Sequence, residues 1–419
     1  MPPTVPRRVA VTGMGALCSL GDDVEEIWQS IGAYRLGYRY APLEKAKVGA
    51  RFFGTLETVP NYKPIPKSID KFLPEFARLG FITAKQALAM AFGERSAHDY
   101  YGSLECGVIF GTGWGGTDYI AEFAEDFLGT GLSSPFSCMK GMHNVGTAAI
   151  SMHWKLRGYQ NTPVAACAAS SIAVGDAFEL IRSGRARMML AGGAESLKGD
   201  ASIWSADVLQ ALSKEKSELR RACCPFSADR SGFIMSEGAG AVCLEDMESA
   251  QARGATILAE IVGYGNYSDA FDMTAPAPDL EARVACIERA CRQAGIAPQA
   301  VDYINAHGTS TPLNDLNETE CIKRFFGPHA PRIPVSSTKS YTGHLMGAAG
   351  VMESIFCVKT LQTGLIPATA NLDRPDPACD LDYVPNRHRH DRALDVALNL
   401  NYGFGGSNSA LLFRKYDGA

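Results

Sequence analysis

The feature that most constrains the fold is a repeated alternation of short apolar runs, many of them ending in glycine, with stretches of helical periodicity. Short continuous apolar runs are typical of buried strands, because helices cover both faces of a parallel sheet. The helical stretch over residues 281–294, which Gly295 can end, is one of the intervening segments. Strands that alternate with helices predict a largely parallel sheet in an α/β fold. The predicted buried strands are Val9–Gly13, Cys106–Gly111, Met188–Gly193 and Ala239–Glu245.

Composition excludes several classes of protein. Hydrophobic residues make up 46% of the 419 residues, which is enough for a substantial core and excludes a disordered chain. Lysine and arginine number 40 against 45 aspartates and glutamates, so no basic field favours nucleic acid as a partner. No apolar run approaches the roughly 18 residues of a membrane span, and the N-terminus lacks the apolar core of a signal peptide. We therefore expect a cytoplasmic protein with no membrane span.

One of the twelve cysteines has surroundings that suit a nucleophile. The cysteines are scattered, with no Cys-x-x-Cys and no zinc-like spacing, so most are expected to be small buried side chains. Cys167, however, lies among alanines just before a helix predicted over Ser171–Ser183. A helix N-terminus stabilises a thiolate, and small neighbours let a ligand approach. Cys167 is therefore a candidate nucleophile, and a buried thiol packed among alanines is the alternative.

Two histidines follow strand-like runs. His307 follows a strand predicted over residues 301–306, and a Thr/Ser-rich turn leads from it to Asp315. His344 follows Lys339 by five residues at a second strand-to-helix turn. Strand ends are where α/β folds place their sites, and a cation or histidine there can stabilise a thiolate or an oxyanion. A structural loop histidine and a solvated lysine are the alternatives.

A glycine-rich loop follows the strand predicted over residues 396–400. Three glycines surround Phe404 in the string Asn401-Tyr-Gly-Phe-Gly-Gly-Ser-Asn408. Backbone N–H groups in such a loop, including that of Gly405, can serve as oxyanion donors. A plain turn is the alternative.

The chain shows a weak internal repeat. A strand-like run, a polar turn and a helix that begins with small residues occur from Val164 and again from Val335. Two related halves with a boundary near residue 250 would explain the repeat.

Taken together, these strings resemble the β-ketoacyl-acyl-carrier-protein synthases of the second, elongating type, in the thiolase superfamily. The resemblance extends from Val9 to Asn408. It implies a five-layered αβαβα duplication with two mixed sheets. The N-terminal half, 1–252, would carry the nucleophilic cysteine, and the C-terminal half, 253–419, both histidines. The matching strings are Ala166–Ala168, Pro225–Phe233, Glu237–Gly240, Asn305–Asp315 and Lys339–Gly350.

The resemblance also implies a reaction, the decarboxylative Claisen condensation of malonyl-acyl-carrier protein with a cysteine-bound acyl chain. Cys167 would hold the acyl chain, and His307 and His344 would act when the malonyl group loses CO₂. The remaining implied roles are an electrostatic one for Lys339, supporting acids at Glu353 and Asp315, and an oxyanion site and gate at Phe404 and Gly405.

The implied partners follow from that reaction. The acyl carrier protein would bring phosphopantetheine as part of the substrate, so no separate cofactor and no metal are expected. The protein would form a homodimer, or a heterodimer with a related condensing-enzyme subunit. Nucleic acid is not an expected partner. Basic residues would steer an acidic carrier protein, and the candidates are Lys67, Lys71, Arg220 and Arg221.

Related enzyme classes fit less well. A CoA-using thiolase would carry a second cysteine in the last glycine-rich loop, and 401–408 has none. A chain-initiating synthase would place asparagine at His344, and a non-catalytic chain-length factor would lack the nucleophile. The catalytic subunit of a ketosynthase/chain-length-factor heterodimer remains an alternative. Trp114 stands where fatty-acid relatives usually carry a smaller aliphatic residue in the acyl pocket, so the product is either a fatty acid or a specialised polyene- or polyketide-type chain.

Overall fold

The computed structural model describes residues 6–43, 47–391 and 393–418. Its centre is a ten-stranded mixed sheet with the order β10-β9-β13-β14-β8-β1-β7-β6-β4-β5. The strands of this sheet are β1 (Val9–Cys18), β4 (Cys106–Gly111), β5 (Gln160–Asn161), β6 (Met188–Glu195), β7 (Gly238–Asp246), β8 (Ala259–Ser268), β9 (Tyr303–Asn305), β10 (Val335–Ser336), β13 (Val396–Gly403) and β14 (Ser407–Arg414). Two small ribbons pair β2 (Arg39–Tyr40) with β3 (Phe52–Phe53) and β11 (Leu365–Ile366) with β12 (Arg389–His390).

Fourteen α-helices accompany these strands in the described residues. They are α1 (Val24–Gly32), α2 (Lys67–Asp70), α3 (Glu75–Phe92), α4 (Thr117–Thr130), α5 (Ser137–Gly141), α6 (Val145–Trp154), α7 (Ala169–Arg182), α8 (Asp200–Val208), α9 (Leu219–Ala222), α10 (Met247–Ala252), α11 (Glu281–Ala294), α12 (Pro312–Phe326), α13 (Lys339–Thr342) and α14 (Ala349–Thr363). The helix predicted over 281–294 is confirmed as α11, and the one predicted over Ser171–Ser183 is confirmed as α7 with slightly shifted ends.

The sheet consists of two five-stranded halves. In each half a parallel part meets an antiparallel part, so both halves are mixed. The halves meet where β1 pairs antiparallel with β8, over the register from Val9↔Ile261 to Val11↔Ala259. The two mixed sheets expected from the sequence are therefore joined along one short ladder.

The helices form three layers around the two halves. Helices α7 and α14 pack on each other and contact strands of both halves, so they form the central layer. Every residue of α14 from Ala349 to Leu361 is buried, as a helix between two sheets requires. Helices α3 and α6 cover the outer face of one half, and α11 and α12 cover the outer face of the other. The predicted five-layered αβαβα architecture is confirmed.

Glycines let an outer helix lie directly on the sheet in each half. A Cβ at Gly15 of β1 would lie 2.1 Å from the carbonyl oxygen of Thr83 in α3. A Cβ at Gly265 of β8 would lie 2.0 Å from the carbonyl oxygen of Cys286 in α11. This contact corrects the predicted end of the first strand at Gly13, because the early glycines of β1 face a helix backbone and the strand continues to Cys18.

Candidate active site

The nucleophile candidate lies at the start of a central helix. Cys167 is buried in the single turn Ala166–Ala168 that leads into α7. The turn Met346–Ala348 leads into α14 in the same way. Ala166 and Met346 both have a positive φ, of 46° and 50°, which is uncommon for residues other than glycine. The two central helices therefore begin with the same strained turn, one carrying Cys167 and the other following His344.

His344 contacts the thiol directly. Its Nε2 lies 2.9 Å from Sγ of Cys167, and its Nδ1 accepts a hydrogen bond from the backbone N–H of Met346 at 3.2 Å. Because Nδ1 is an acceptor, the proton of the neutral ring is on Nε2. His344 therefore donates toward Cys167.

His307 is oriented by a buried ion pair. Lys339 Nζ lies 3.4 Å from Nδ1 of His307 and pairs with the carboxylate of Glu353, which also accepts from Asn401. The lysine donates to Nδ1, so the proton of His307 is also on Nε2. The rings of His307 and His344 meet edge to face with centroids 5.5 Å apart. The structure thus brings together Cys167, both histidines, Lys339 and Glu353.

Burial controls the protonation of these groups. It lowers the pKa of His307 and His344 well below the usual value, and the positive charge of Lys339 lowers both further. Burial also raises the pKa of the Cys167 thiol to about 12, which the Lys339 charge and the cysteine's own backbone N–H offset only in part. The backbone N–H at the helix start and the Lys339 charge both favour the thiolate, in the direction that the sequence predicts, but burial opposes them and keeps the pKa of the thiol raised.

The acid that supports His307 is not the one the sequence indicated. Asp315 accepts from the backbone N–H of Phe226 at 2.9 Å and faces Arg230, so it braces the 225–230 loop instead. Glu318, one turn further along α12, accepts from the backbone N–H of His307 at 2.7 Å. Burial raises the pKa of Asp315 to about 6 and that of Glu318 to about 7. Glu318 follows Asp315 by three residues, the spacing that places two side chains on one face of a helix, and this was the available signal.

The glycine-rich loop packs against the nucleophile turn. Phe404 is partly buried in the apolar cluster that contains Cys167. A Cβ at Gly403 would lie 2.7 Å from the carbonyl oxygen of Ala165, two residues before Cys167, so this close approach needs glycine. Gly405 has φ 79° and donates its N–H to the carbonyl of Met273. Gly405 therefore shapes the turn, and its N–H is already used.

Trp114 is half-buried and packs against the apolar cluster that contains Cys167, Ile203 and Met346. Its loop is held by Glu195, the fully buried last residue of β6, which the sequence analysis did not single out. The Glu195 carboxylate accepts backbone N–H groups of Gly113 at 2.7 Å, of Trp114 at 3.2 Å and of Gly347 at 3.2 Å. Glu195 thereby ties the Trp114 loop to the turn that begins α14.

A cavity of about 590 Å³ opens onto the three reactive side chains. Its wall also carries Arg283, a buried residue of α11 that the sequence analysis took as part of a helix only. Lys214 contributes to the wall and is exposed to solvent. Trp114 is not among the described residues that line this cavity. Other lining residues are Gln210, Phe233, Asp269, Thr309, Thr311, Asn314, Tyr402 and Phe404.

Cys167, His307 and His344 also form the one group of three potential metal ligands found among the described residues, with ligand atoms within 4.8 Å of one another. Thiolate and imidazole are ligands for zinc. Here Nε2 of His344 already donates to the thiol, so binding a metal would displace the hydrogen bond described above. Of the described helices, none is long and apolar enough to cross a bilayer.

Comparison with known proteins identifies the family. Residues 6–250 match the β-ketoacyl synthase N-terminal domain, and residues 258–373 match the β-ketoacyl synthase C-terminal domain. The chain belongs to the β-ketoacyl synthase family. A 3-oxoacyl-[acyl-carrier-protein] synthase 2 from a Synechocystis strain is 38% identical over 416 residues, which cover 98% of each chain. The resemblance seen in the sequence is confirmed.

Solved structures of the β-ketoacyl synthase type agree over nearly the whole chain. A type II polyketide ketosynthase, bound to a hexaketide and in complex with its acyl carrier protein, is 31% identical with a TM-score of 0.90. That match covers 98% of this chain and all of the other. The ishigamide ketosynthase/chain-length factor is 30% identical with a TM-score of 0.88, over the same shares of the two chains.

Proposed function

We propose that the protein is a 3-oxoacyl-[acyl-carrier-protein] synthase that joins a malonyl-derived carbon unit to a cysteine-bound acyl chain. The observation that carries the proposal is the convergence of the Cys167 thiol with the Nε2 atoms of His344 and His307 on one cavity. The curated relatives bear this enzyme's name. The proposed site draws Cys167 from 1–252 and both histidines from 253–419, so it would exist only where the two halves meet.

The first step transfers the acyl chain to the enzyme. Cys167 Sγ attacks the thioester carbonyl of the acyl-phosphopantetheine, a new C–S bond forms, and the carrier protein leaves as a thiol with the cysteine's proton. The backbone N–H groups of Cys167 and Phe404 are the proposed donors to the oxyanion that develops on the carbonyl. Because burial raises the pKa of the Cys167 thiol, we propose that its proton moves to the leaving sulfur as the new bond forms.

The second step forms the new C–C bond. The malonyl thioester loses CO₂, and the electron pair of the broken bond becomes an enolate. Two Nε2–H groups, from His307 and His344, would stabilise the enolate oxygen, because both rings are neutral and protonated on that atom. The enolate carbon then attacks the acyl carbonyl on Cys167. The C–S bond breaks, its electron pair leaves with the Cys167 sulfur, and one proton taken up from solvent restores the thiol.

This chemistry assigns phosphopantetheine to the carrier-protein substrate and calls for no separate cofactor. Decarboxylation itself supplies the carbanion, and the two histidines supply the charge stabilisation. All twelve cysteines are free. A reactive free thiol suits a reducing compartment, which supports the cytoplasm as the proposed location.

Intact mass spectrometry tests the proposal. The wild-type protein is incubated with a panel of acyl-carrier proteins and then given malonyl-carrier protein. We expect an acyl adduct on Cys167 and a 3-oxoacyl product. Cys167→Ala should lose both, whereas Cys138→Ala, which changes an exposed cysteine, should keep both. An adduct and product that survive in Cys167→Ala would refute the assignment.

Substitution of the histidines separates the two steps. His307→Ala and His344→Ala should each lower the rate of condensation about 100-fold or more, by analogy with the loss of an oxyanion donor. Acylation of Cys167 should suffer less, because it precedes the enolate. Normal condensation in both variants would refute the role given to the histidines.

A second subunit is part of the proposal. None of the residues of α4 is buried, although the helix carries Ile120, Phe127 and Leu128. An apolar surface of this kind is typical of an interface. We propose that it meets a second condensing-enzyme subunit, either another copy or a chain-length-factor type of partner as in the ishigamide complex. Sedimentation of the purified chain, alone and co-expressed with such a partner, distinguishes the two.

A further inference from the structure

A buried arginine on the cavity wall has no acidic partner. Arg283 is 5% exposed and occupies the first position of the buried stripe of α11. Among the described residues, it forms no ion pair with a carboxylate within 4.0 Å. Its one hydrogen bond to a described residue runs from Nη1 to Oδ1 of Asn314 at 3.2 Å, and its Nε is buried without a partner. The buried carboxylate of Glu318 feels the Arg283 charge, but it contacts Asn314 and His307 instead of the guanidinium. Because a buried charge normally requires a direct partner, the free Nε marks a place for an anion.

The guanidinium is fixed in place beside the reactive groups. It stacks on Tyr402, with its central carbon 3.9 Å from the ring centroid. Tyr402 in turn meets the His307 ring edge to face, with centroids 5.6 Å apart. Since Nη1 is taken by Asn314, the edge formed by Nε and Nη2 is the one left for a ligand. A planar fork of this kind suits a carboxylate.

We propose that Arg283 binds the carboxylate of the malonyl group before it is lost as CO₂. This proposal rests on the function proposed above. The carrier protein's phosphate is the other anion in the reaction, but exposed Lys214 marks the open side of the cavity, whereas Arg283 is buried next to His307. The carboxylates of Glu318 and Asp269 are engaged elsewhere, by His307 and Asn408 respectively.

Binding of the malonyl carboxylate by Arg283 should affect KM and kcat differently. Arg283 holds the carboxylate in the ground state, and this charge is gone once CO₂ departs. Its interaction therefore favours binding of the malonyl substrate and does not favour the transition state for decarboxylation. Loss of Arg283 should raise KM for malonyl-carrier protein and leave kcat unchanged or higher.

Binding of two stable substrate analogues tests the proposal. The thioester sulfur of malonyl- and acetyl-carrier protein is replaced by nitrogen, so that neither analogue can acylate Cys167. We expect the wild type to bind the malonyl amide about tenfold or more tightly than the acetyl amide, in line with a hydrogen bond to a charged group. Arg283→Met should lose this preference and Arg283→Lys should keep part of it. Arg292→Met, at an exposed position on the same helix, should retain it fully.

The outcomes separate the two proposals. An unchanged malonyl preference in folded Arg283→Met overturns the inference, as does a lower kcat with unchanged KM, which would mark a structural role. Removal of an unpaired buried charge should leave the melting temperature equal or higher. The acylation half-reaction involves no malonyl carboxylate, so its rate reports whether each variant is correctly folded. Absence of condensation in the wild type would instead refute the proposed function.

Discussion

The position of two protons decides what the paired histidines can do. The backbone N–H of Met346 and the ammonium of Lys339 each occupy an Nδ1 atom, so both Nε2 atoms are donors. A donor stabilises a developing oxyanion, whereas it cannot remove a proton from the thiol. The residue types were visible in the sequence, but the tautomers depend on contacts between distant segments.

The pH dependence of condensation should reflect these buried imidazoles. Their folded-state pKa values lie well below 6.5, so the active neutral forms should persist as the pH falls through 6.5. The same shift stabilises the fold fully above the unfolded-state pKa of about 6.5, and this contribution is lost as the pH falls toward the folded-state values. A pH profile of kcat/KM should therefore place the acid limb below 6.5.

Glu318 provides the control for that profile. Burial raises the pKa of Glu318 to about 7, so this carboxyl titrates where the histidines do not. An inflection near pH 7 that disappears in Glu318→Gln belongs to Glu318. An inflection near pH 7 that persists in Glu318→Gln would contradict the statement that both histidines have a lowered pKa and stay neutral.

Trp114 should restrict the acyl chain. The indole does not line the cavity described above, but it packs against the apolar cluster that contains Cys167, where close packing makes one or two carbons matter. We expect long saturated chains to be poor substrates, and short or planar unsaturated chains to be better, because a flat chain can stack on the ring. Competition between the two kinds of acyl-carrier protein, on wild type and Trp114→Gly, measures this. Efficient use of long saturated chains by both proteins would contradict the prediction.

At the scale of elements, the outer helices lie directly on glycines of the strands. We expect that adding one methyl group at such a glycine lowers the stability of the fold. A Cβ at Gly265 would collide with the backbone of α11, so Gly265→Ala should lower the free energy of unfolding by about 1–3 kcal/mol. Because Arg283 lies on α11, the malonyl preference should weaken too. Urea denaturation and the analogue binding assay measure the two effects.

Gly129→Ala is the matched control. A Cβ at Gly129 meets no atom within 4 Å, and the residue lies within helix α4, where alanine is favoured. Equal stability losses in Gly129→Ala and Gly265→Ala would show that helix contact is not the cause.

Most of the named helices and strands could be predicted from the sequence, but the contacts between them could not. Apolar periodicity gave α11 its bounds, and the run from Val396 indicated the core of β13. The continuation of β1 past Gly13 was missed, because glycine signals a turn unless a helix backbone is known to lie against it. Glu195, Glu318 and Arg283 were missed for the related reason that their partners lie on other elements.

At the scale of the molecule, positive charge near the cavity should steer the carrier protein. Exposed Lys214 lies on the cavity wall, and Arg220 and Arg221 follow on the same segment of chain. None of Lys67, Lys71, Arg220 and Arg221 is among the described lining residues, but the two arginines are close to Lys214 in sequence, so we rank the two lysines below them. Reversing the charge of Lys214, Arg220 and Arg221 should raise KM for acyl-carrier protein and weaken its dependence on salt.

The same reversal at Lys67 and Lys71 is the comparison. A larger effect there than at Lys214, Arg220 and Arg221 would place the docking face elsewhere. No effect on KM or on salt dependence in either set would contradict steering by these residues.

The duplication could be predicted from the internal repeat. The two copies share few identical residues, but both have the same order of strand, polar turn and helix. The helices that begin after Ala166 and Met346 occupy the same layer, and their first turns share an unusual φ. How the two halves join, along the β1–β8 ladder, could not be read from the sequence, because pairing between edges leaves no local pattern.

The position of β14 next to α7 has a consequence for the order of events on the ribosome. Ser409 of β14 shares a hydrogen bond of 2.8 Å with Ser171, four residues after the nucleophile. Until β14 has been synthesised, the side of α7 that faces the second half of the sheet is covered only in part. The Cys167 thiol is thus made early, but a strand that helps to enclose it is synthesised more than 200 residues later.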